Sequence, residues 1–554
     1  MQKRSHFLRL VHLLSAISRS LIVLSLLTTA CQSVRSQQQA KPLPQDPSIQ
    51  VYFNSVESAE YREPYRQQTR KGDDLEQQIV TAITAAQSTV NIAVQELRLP
   101  KIAQALAERQ KAGVKVRVIL ENNYSRPWST LTASEIKNLP QRERDRYSEF
   151  RTLVDRDRNG ELTKAEINQG DALVILNQAQ IPWIDDTADG SAGSGLMHHK
   201  FVVVDDQTVI VTSANLTTSD VHGDFRFPDS RGNANNLLKI DSPQLAAVFT
   251  EEFDLMWGDG PGGQLDSKFG LQKPVRGAKR IQVGNSQVLV HYSPVSPTLP
   301  WQQSGNGLIG QVLADAVQSV DLALFVFSEQ RLANILDTRQ KSVQIRALID
   351  SNFAYRYYSE ALDMLGVALS ENCKYDKNNR PWSSAIATVG VPQLPQGDSL
   401  HHKFAVVDKR TVITGSHNWS DAANTKNDET LLVIQNPTVA AHYVQEFERL
   451  YKKAQLGVPV NVQNKISAQQ QCSPQKVDSS INAPESTVQA LDVKINLNTA
   501  SIEELETLPG VGKKLAQRIV TARQQKRFES LQELDRVPGV GSSLIQRLSD
   551  RVTW

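Results

Sequence analysis

His198-His199-Lys200-Phe201-Val202-Val203-Val204-Asp205 is followed, six residues on, by Thr212-Ser213-Ala214-Asn215. The pattern returns as His401-His402-Lys403-Phe404-Ala405-Val406-Val407-Asp408, followed after six residues by Gly415-Ser416-His417-Asn418. Alternation along a strand puts His198 and Lys200 on one face and His199 on the other, and does the same for His401, Lys403 and His402. Each copy therefore presents one imidazole and one ammonium together, with Ser and Asn arriving from the next strand.

The repeat extends outward from these segments. Residues 76–124 read as helix, strand around Val90–Val94, helix, strand Val114–Leu120; residues 308–353 run in the same order through Val320–Val326 and Val343–Ile349. Strands alternating with helices, twice, predict two α/β domains in tandem, each an α/β/α sandwich. Their expected extents are 49–262 and 291–457, with a Gly-rich break at Gly258–Gly263 and a connector over 263–290. Residues 458–492 are polar and low in complexity and read as a flexible linker to a compact module over 493–554.

Composition sets wide bounds. The chain has 554 residues, 40% hydrophobic and 22% charged, with a net charge of +2. That is long enough for roughly three or four domains, and its charge neither favours nor excludes nucleic acid or membrane. Three cysteines are too few for a disulfide scaffold. Residues 1–31 combine a basic start (Lys3, Arg4, Arg9), a short apolar run over Leu21–Leu27 and the exit Thr28-Thr29-Ala30-Cys31, as in an export signal. The Ala-Cys ending resembles a bacterial lipoprotein signal with Cys31 lipidated, although Thr28 stands where Leu is usual. An ordinary signal or an uncleaved anchor is the alternative. Residues 32–48 read as a tether, and the expected location is the cell envelope, membrane-anchored or periplasmic.

Paired His and Lys suit phosphodiester chemistry, which needs a nucleophile, an acid for the leaving oxygen and cationic donors for the phosphoryl oxygens. Histidine titrates near neutrality and lysine binds phosphate as a point charge. Over about residues 50–457 the chain resembles the phospholipase D-like superfamily. The resemblance implies one active site from two halves and a phosphohistidine intermediate. It implies that Lys200, Lys403, Asn215 and Asn418 hold phosphoryl oxygens, that Asp205 and Asp408 are mainly structural, and that catalysis needs no metal. In that family a carboxylate bonds the histidine's second nitrogen. Glu429 fits this role in Asn427-Asp428-Glu429-Thr430, whereas the aligned first-copy residue is Asn235. Pairing within each copy would give Glu429 to His401, making His401 the more basic imidazole and the expected nucleophile.

Two further segments carry chemistry. Residues 155–166 fit an EF-hand loop, with Asp155, Asp157, Asn159, the Glu161 carbonyl and Glu166 as calcium ligands, Gly160 at the turn, and flanking helices over Arg142–Leu153 and Ala165–Asn168. A charged surface turn is the alternative. Residues 496–554 hold Leu508-Pro509-Gly510-Val511-Gly512 and Val537-Pro538-Gly539-Val540-Gly541, each followed by a helix. This resembles the tandem helix-hairpin-helix domain of bacterial competence DNA receptors, an all-α module. The resemblance implies that backbone N–H groups at Gly510, Gly512, Gly539 and Gly541 meet DNA phosphates. Lys513 and Lys514, with Arg518, Arg523, Lys526 and Arg527, would add cationic support. A protein-contact module on the same fold is the alternative; no protein partner is evident. The expectation is a DNA-binding nuclease, with a phospholipase D acting on phospholipid and a catalytically silent DNA-capture protein as alternatives.

Overall fold

The computed structural model describes residues 42–191, 195–371, 373–376, 378–469, 495–500, 511–541 and 552–554, with Leu505, Leu508, Leu544, Ile545 and Leu548. The leader, most of the tether, the linker beyond 469, Gly510 and the side chains of Lys513 and Lys514 lie outside the described residues. The described residues before 473 form one compact unit and those from 495 a second.

The first half runs β1 (Ile49–Phe53), α1 (Leu75–Ala85), β2 (Thr89–Val94), α2 (Pro100–Lys111), β3 (Lys115–Leu120), α3 (Gln141–Val154), α4 (Lys164–Gly170), α5 (Ala172–Gln178), β4 (Trp183–Asp185), β5 (Lys200–Val204), β6 (Thr208–Thr212), β7 (Asn236–Asp241) and α6 (Pro243–Trp257). Its seven-stranded sheet has the order β1-β7-β6-β5-β2-β3-β4. The second half runs β8 (Lys279–Val283), β9 (Ser286–Ser293), α7 (Gly305–Ala314), β10 (Ser319–Leu324), α8 (Gln330–Arg339), β11 (Gln344–Ile349), β12 (Val389–Val391), β13 (Lys403–Val407), β14 (Thr411–Gly415), β15 (Glu429–Gln435), α9 (Pro437–Tyr451), β16 (Gln455–Leu456) and α10 (Val460–Gln469). Its nine strands are ordered β8-β9-β15-β14-β13-β10-β11-β12-β16. The six strands β7-β6-β5-β2-β3-β4 thus recur as β15-β14-β13-β10-β11-β12, with parallel links at the same two places. The duplication read from the sequence is a duplication of topology.

Alternation along β5 sorts its side chains as the pleat requires. Val202 and Val204 face a core with α1 and α2, while Phe201 and Val203 face a second core shared by both halves. In β13, Ala405 and Val407 face the second half's own core, and Phe404 and Val406 face the shared one. Phe249, Phe253 and Trp257 of α6 and Tyr443 and Phe447 of α9 fill that shared layer. The two α/β/α units are therefore welded through one continuous apolar core.

Three expected boundaries move. The connector 263–290 contains β8 and most of β9, which extend the second sheet; alternate Ile281, Val283, Val288 and Val290 pack inward, and Gly284 turns the hairpin at φ +52°. The linker begins later than 458, because α10 buries Val462 against Leu362 and Leu369, and Gln469 bonds both backbone groups of Ser370. The end of the tether is docked: Asn436 donates to Asp46 and His442 to the Pro44 carbonyl. Cys373 is disulfide-bonded; the chain's other two cysteines lie outside the described residues.

The C-terminal module has its own core, including Leu508, Val511, Ile519, Phe528, Leu534, Val540 and Leu548. Its helix Lys513–Gln525 starts at Gly512, and Ile495–Asn496 pairs in parallel with Val552–Thr553. Gly539 lies at φ +95°, where a Cβ would press on Arg518.

Candidate active site

β5 and β13 end their loops at one cavity of about 660 Å³, lined by His198, Asn215, His401 and Asn418 among others. Lys200 and Lys403 are buried behind the histidines and each donates to the carbonyl of its own motif histidine, His198 or His401. Lys200 also donates to Gln95; Lys403 lies over the Phe325 ring. Burial pushes both ammoniums down, Lys200 to about 8 and Lys403 to about 7, with the neighbouring Lys200 lowering Lys403 further. Burial and both lysines also hold His198 and His401 well below the usual imidazole range. Such a cluster of crowded cationic donors favours an anion at its centre. Asn215 and Asn418 each leave a buried amide oxygen without a partner.

His199 and His402 are on the opposite face, as alternation requires, where they bond Glu252 of α6 and Glu446 of α9. The motif aspartates are anchors. At φ +53° Asp205 accepts N–H bonds from Gln87, Ser88 and Thr89, and Asp408, at the same φ, from Val317, Gln318 and Ser319. Burial opposes their ionisation, but these donors hold both carboxyls below the ordinary range. Each thus pins the turn preceding the strand next to its own.

The pairing of histidines with partners differs from the expectation. Glu429 bonds His198, with Nδ1 to Oε2 at 2.7 Å, and Asn235 bonds His401, with Nδ1 to Oδ1 at 3.0 Å. The exchange follows from backbone contacts between the halves. Met197 bridges Asp428 and Ala234 bridges Leu400, so the residue after each bridge meets the other half's histidine. His198 N–H donates to the Asp428 carbonyl and His401 N–H to the Ala234 carbonyl. The motif serines brace the partners: Ser416 donates to Glu429 and Ser213 to Asn235. Burial raises the Glu429 carboxyl, opposed by His417, Lys200, Ser416 and Asn427. By the reasoning that favoured His401, the carboxylate-backed imidazole is His198.

The sequence reading missed Asp220, which is buried and has an oxygen 3.6 Å from His401 Nδ1. It stands five residues after Asn215, and Ala423 stands five after Asn418; that asymmetry was the available signal. It also missed Arg146, which lines the cavity and ion-pairs with buried Glu96.

The loop at 155–166 sits between α3 and α4, as expected. Carboxylate oxygens of Asp155, Asp157 and Glu166 lie within 4.8 Å of one another. Asp155 accepts the Asn159 and Gly160 N–H groups, and Asn159 accepts that of Glu161, which turns the loop around those oxygens. The donor set is all hard oxygen, which fits calcium. In the C-terminal module, Gly512 and Gly541 begin helical turns, each accepting from two later N–H groups. Arg523 is committed to the carbonyls of Leu497 and Ala500, Arg518 to that of Pro538, and Lys526 to Glu533. These three are tied into the module's own structure.

A family model described as "Cardiolipin synthase, PLD-like domain" matches residues 79–257 and 309–451, and a helix-hairpin-helix motif matches 491–553. Mitochondrial cardiolipin hydrolase from Homo sapiens is 28% identical over 158 residues, 28% of this chain and 54% of that protein. The match thus spans about half the length of that relative. Phospholipase D from Rickettsia bellii is 24% identical over 177 residues, 32% of this chain and 74% of that protein. Phosphatidylserine synthase from Haemophilus influenzae aligns over 76% of this chain and 96% of that one, at TM-score 0.42 and 12% identity.

Proposed function

The chain belongs to the phospholipase D-like family, and from that premise we propose that it is an exported nuclease hydrolysing DNA phosphodiesters through a phosphohistidine. The observation that carries the choice of DNA is the helix-hairpin-helix module, matched over 491–553, on the same chain as a phosphodiester site. The cavity wall is mostly polar, with Arg142, Arg146 and Arg226 standing among Glu96, Asp145, Glu149, Asp220 and Asp224, and its few apolar members do not make a rim for acyl chains.

In this reading His198 Nε2 attacks phosphorus and forms a P–N bond as the P–O bond to the leaving alcohol breaks. His401 gives that oxygen its proton. It then takes a proton from water as the water oxygen attacks phosphorus and releases His198. Glu429 holds the His198 Nδ1 proton, and Lys200, Lys403, Asn215 and Asn418 meet the phosphoryl oxygens. Gly510, Gly512, Gly539, Gly541, Lys513 and Lys514 would hold the DNA backbone. Calcium at Asp155, Asp157, Asn159, Glu161 and Glu166 would be structural. The disulfide at Cys373 supports an oxidising, exported location, with lipidation of Cys31 as the anchor.

The second reading, a phospholipase D on phospholipid, is favoured by the match to a cardiolipin-synthase-type model. The test is hydrolysis of plasmid DNA and phosphatidylcholine vesicles in parallel, in excess EDTA, with His198→Ala and a chain ending at 492. Nicking that is lost in His198→Ala and weakened by the truncation is the expected result. Choline release without nicking overturns DNA in favour of lipid.

A further inference from the structure

His401 lacks a directly bonded carboxylate, yet the proposed reaction asks it to carry a proton to the leaving oxygen. Its surroundings oppose that charge. Lys403 and His402 of its own motif, and His198 and Lys200 of the first motif, all disfavour the imidazolium. Asp350, at the end of β11, is turned to the Leu400 and Asn352 N–H groups. Phe325 presents an apolar ring 4.7 Å from the His401 ring. Asn235, its bonded partner, is neutral.

We infer that Asp220 is the positioning carboxylate for His401, acting through Asn235 and across 3.6 Å of space. Asn235 Nδ2 donates to the carbonyls of Asp220 and Asn233 and to Asp220 Oδ1 at 3.3 Å. Those acceptors fix the amide so that Oδ1 faces His401, which can only donate to it from Nδ1–H. The Nε2 lone pair is thereby left to the cavity. Asp220 is itself held in place: Asn215 N–H donates to Oδ2, and Asn233 Nδ2 donates to Oδ1 at 2.6 Å. Its negative charge lies at ion-pair distance from Nδ1 and favours the imidazolium that an acid requires. The second half supplies the converse arrangement to His198, with Glu429 bonded directly to that ring and Ala423 at the position of Asp220. One carboxylate thus serves each histidine, bonded to His198 and backing an amide at His401.

This rests on the phosphodiesterase reading only for its kinetic arm. The first measurement is the NMR titration of His401 in the full chain, its ring assigned by loss of its signal in His401→Gln. Asp220→Asn lowers the His401 midpoint by about one pH unit or more. Adding Asn235→Asp, which moves the charge onto the bonded position, restores it. The second measurement is the burst of leaving-group release from two diesters. Asp220→Asn slows release of an alkoxide from a dinucleotide by about 10- to 100-fold, and release of 4-nitrophenolate, which needs no proton, by less than about threefold. An unchanged midpoint, a loss that Asn235→Asp fails to restore, or equal slowing of both diesters overturns the inference. If the unaltered chain hydrolyses neither diester, the phosphodiesterase reading fails while the titration still decides the role of Asp220.

Discussion

Lys200 and Lys403 are the residues whose state most depends on what fills the cavity. Both are fully buried, and their ammoniums are pushed down to about 8 and about 7. A group depressed on folding contributes fully above its unfolded value and costs stability as pH falls toward its folded value. The anion-free protein therefore loses stability on their account between about pH 10.4, the unperturbed lysine value, and the 7–8 region. His198 and His401, also depressed, continue the loss below about pH 6.5. A bound phosphoryl anion favours the charged lysines and reverses the first loss. Inorganic phosphate is thus expected to raise Tm strongly near pH 6.5 and little at pH 9.5, measured by scanning calorimetry. Equal stabilisation at both values would show that these ammoniums do not meet the anion. The motif residues themselves were legible from their repeated spacing. Their partners were not, because Glu429 and Asn235 act across the halves and a linear alignment pairs residues within a copy.

At the scale of elements, the strands of the repeat were read to within a residue or two and its helices in their order, since apolar runs alternating with amphipathic helices leave little choice. The hairpin at Lys279–Ser293 was missed because its strands follow a Gly-rich break and alternate with Lys, Arg and Gln, which reads as a connector. α3 links two features that the sequence presented separately. It carries Arg142 and Arg146 into the cavity wall and ends at the loop bearing Asp155, Asp157 and Glu166. A cation there at about 100 times its Kd stabilises the fold by about 2.7 kcal/mol. Calcium is accordingly expected to raise Tm and to give a binding heat that Glu166→Gln abolishes. No heat and no shift with the unaltered chain would reduce the loop to a charged turn.

Across the whole molecule, the two copies are not independent bodies. One apolar core runs from Phe201 and Phe249 to Phe404 and Phe447, and paired backbone bridges carry Glu429 to His198 and Asn235 to His401. The sequence announced two domains side by side but not this exchange, since only the folded contacts at Met197–Asp428 and Ala234–Leu400 bring each partner across. Glu429 and Asn235 make the histidines unequal, and the exchange decides which is which, with the carboxylate from the second half serving the nucleophile proposed in the first. Quenching the full chain at alkaline pH during turnover of a phosphodiester, and locating the phosphohistidine by mass spectrometry, tests this most directly. The phosphoryl group is expected on His198. Its recovery on His401 would contradict the assignment.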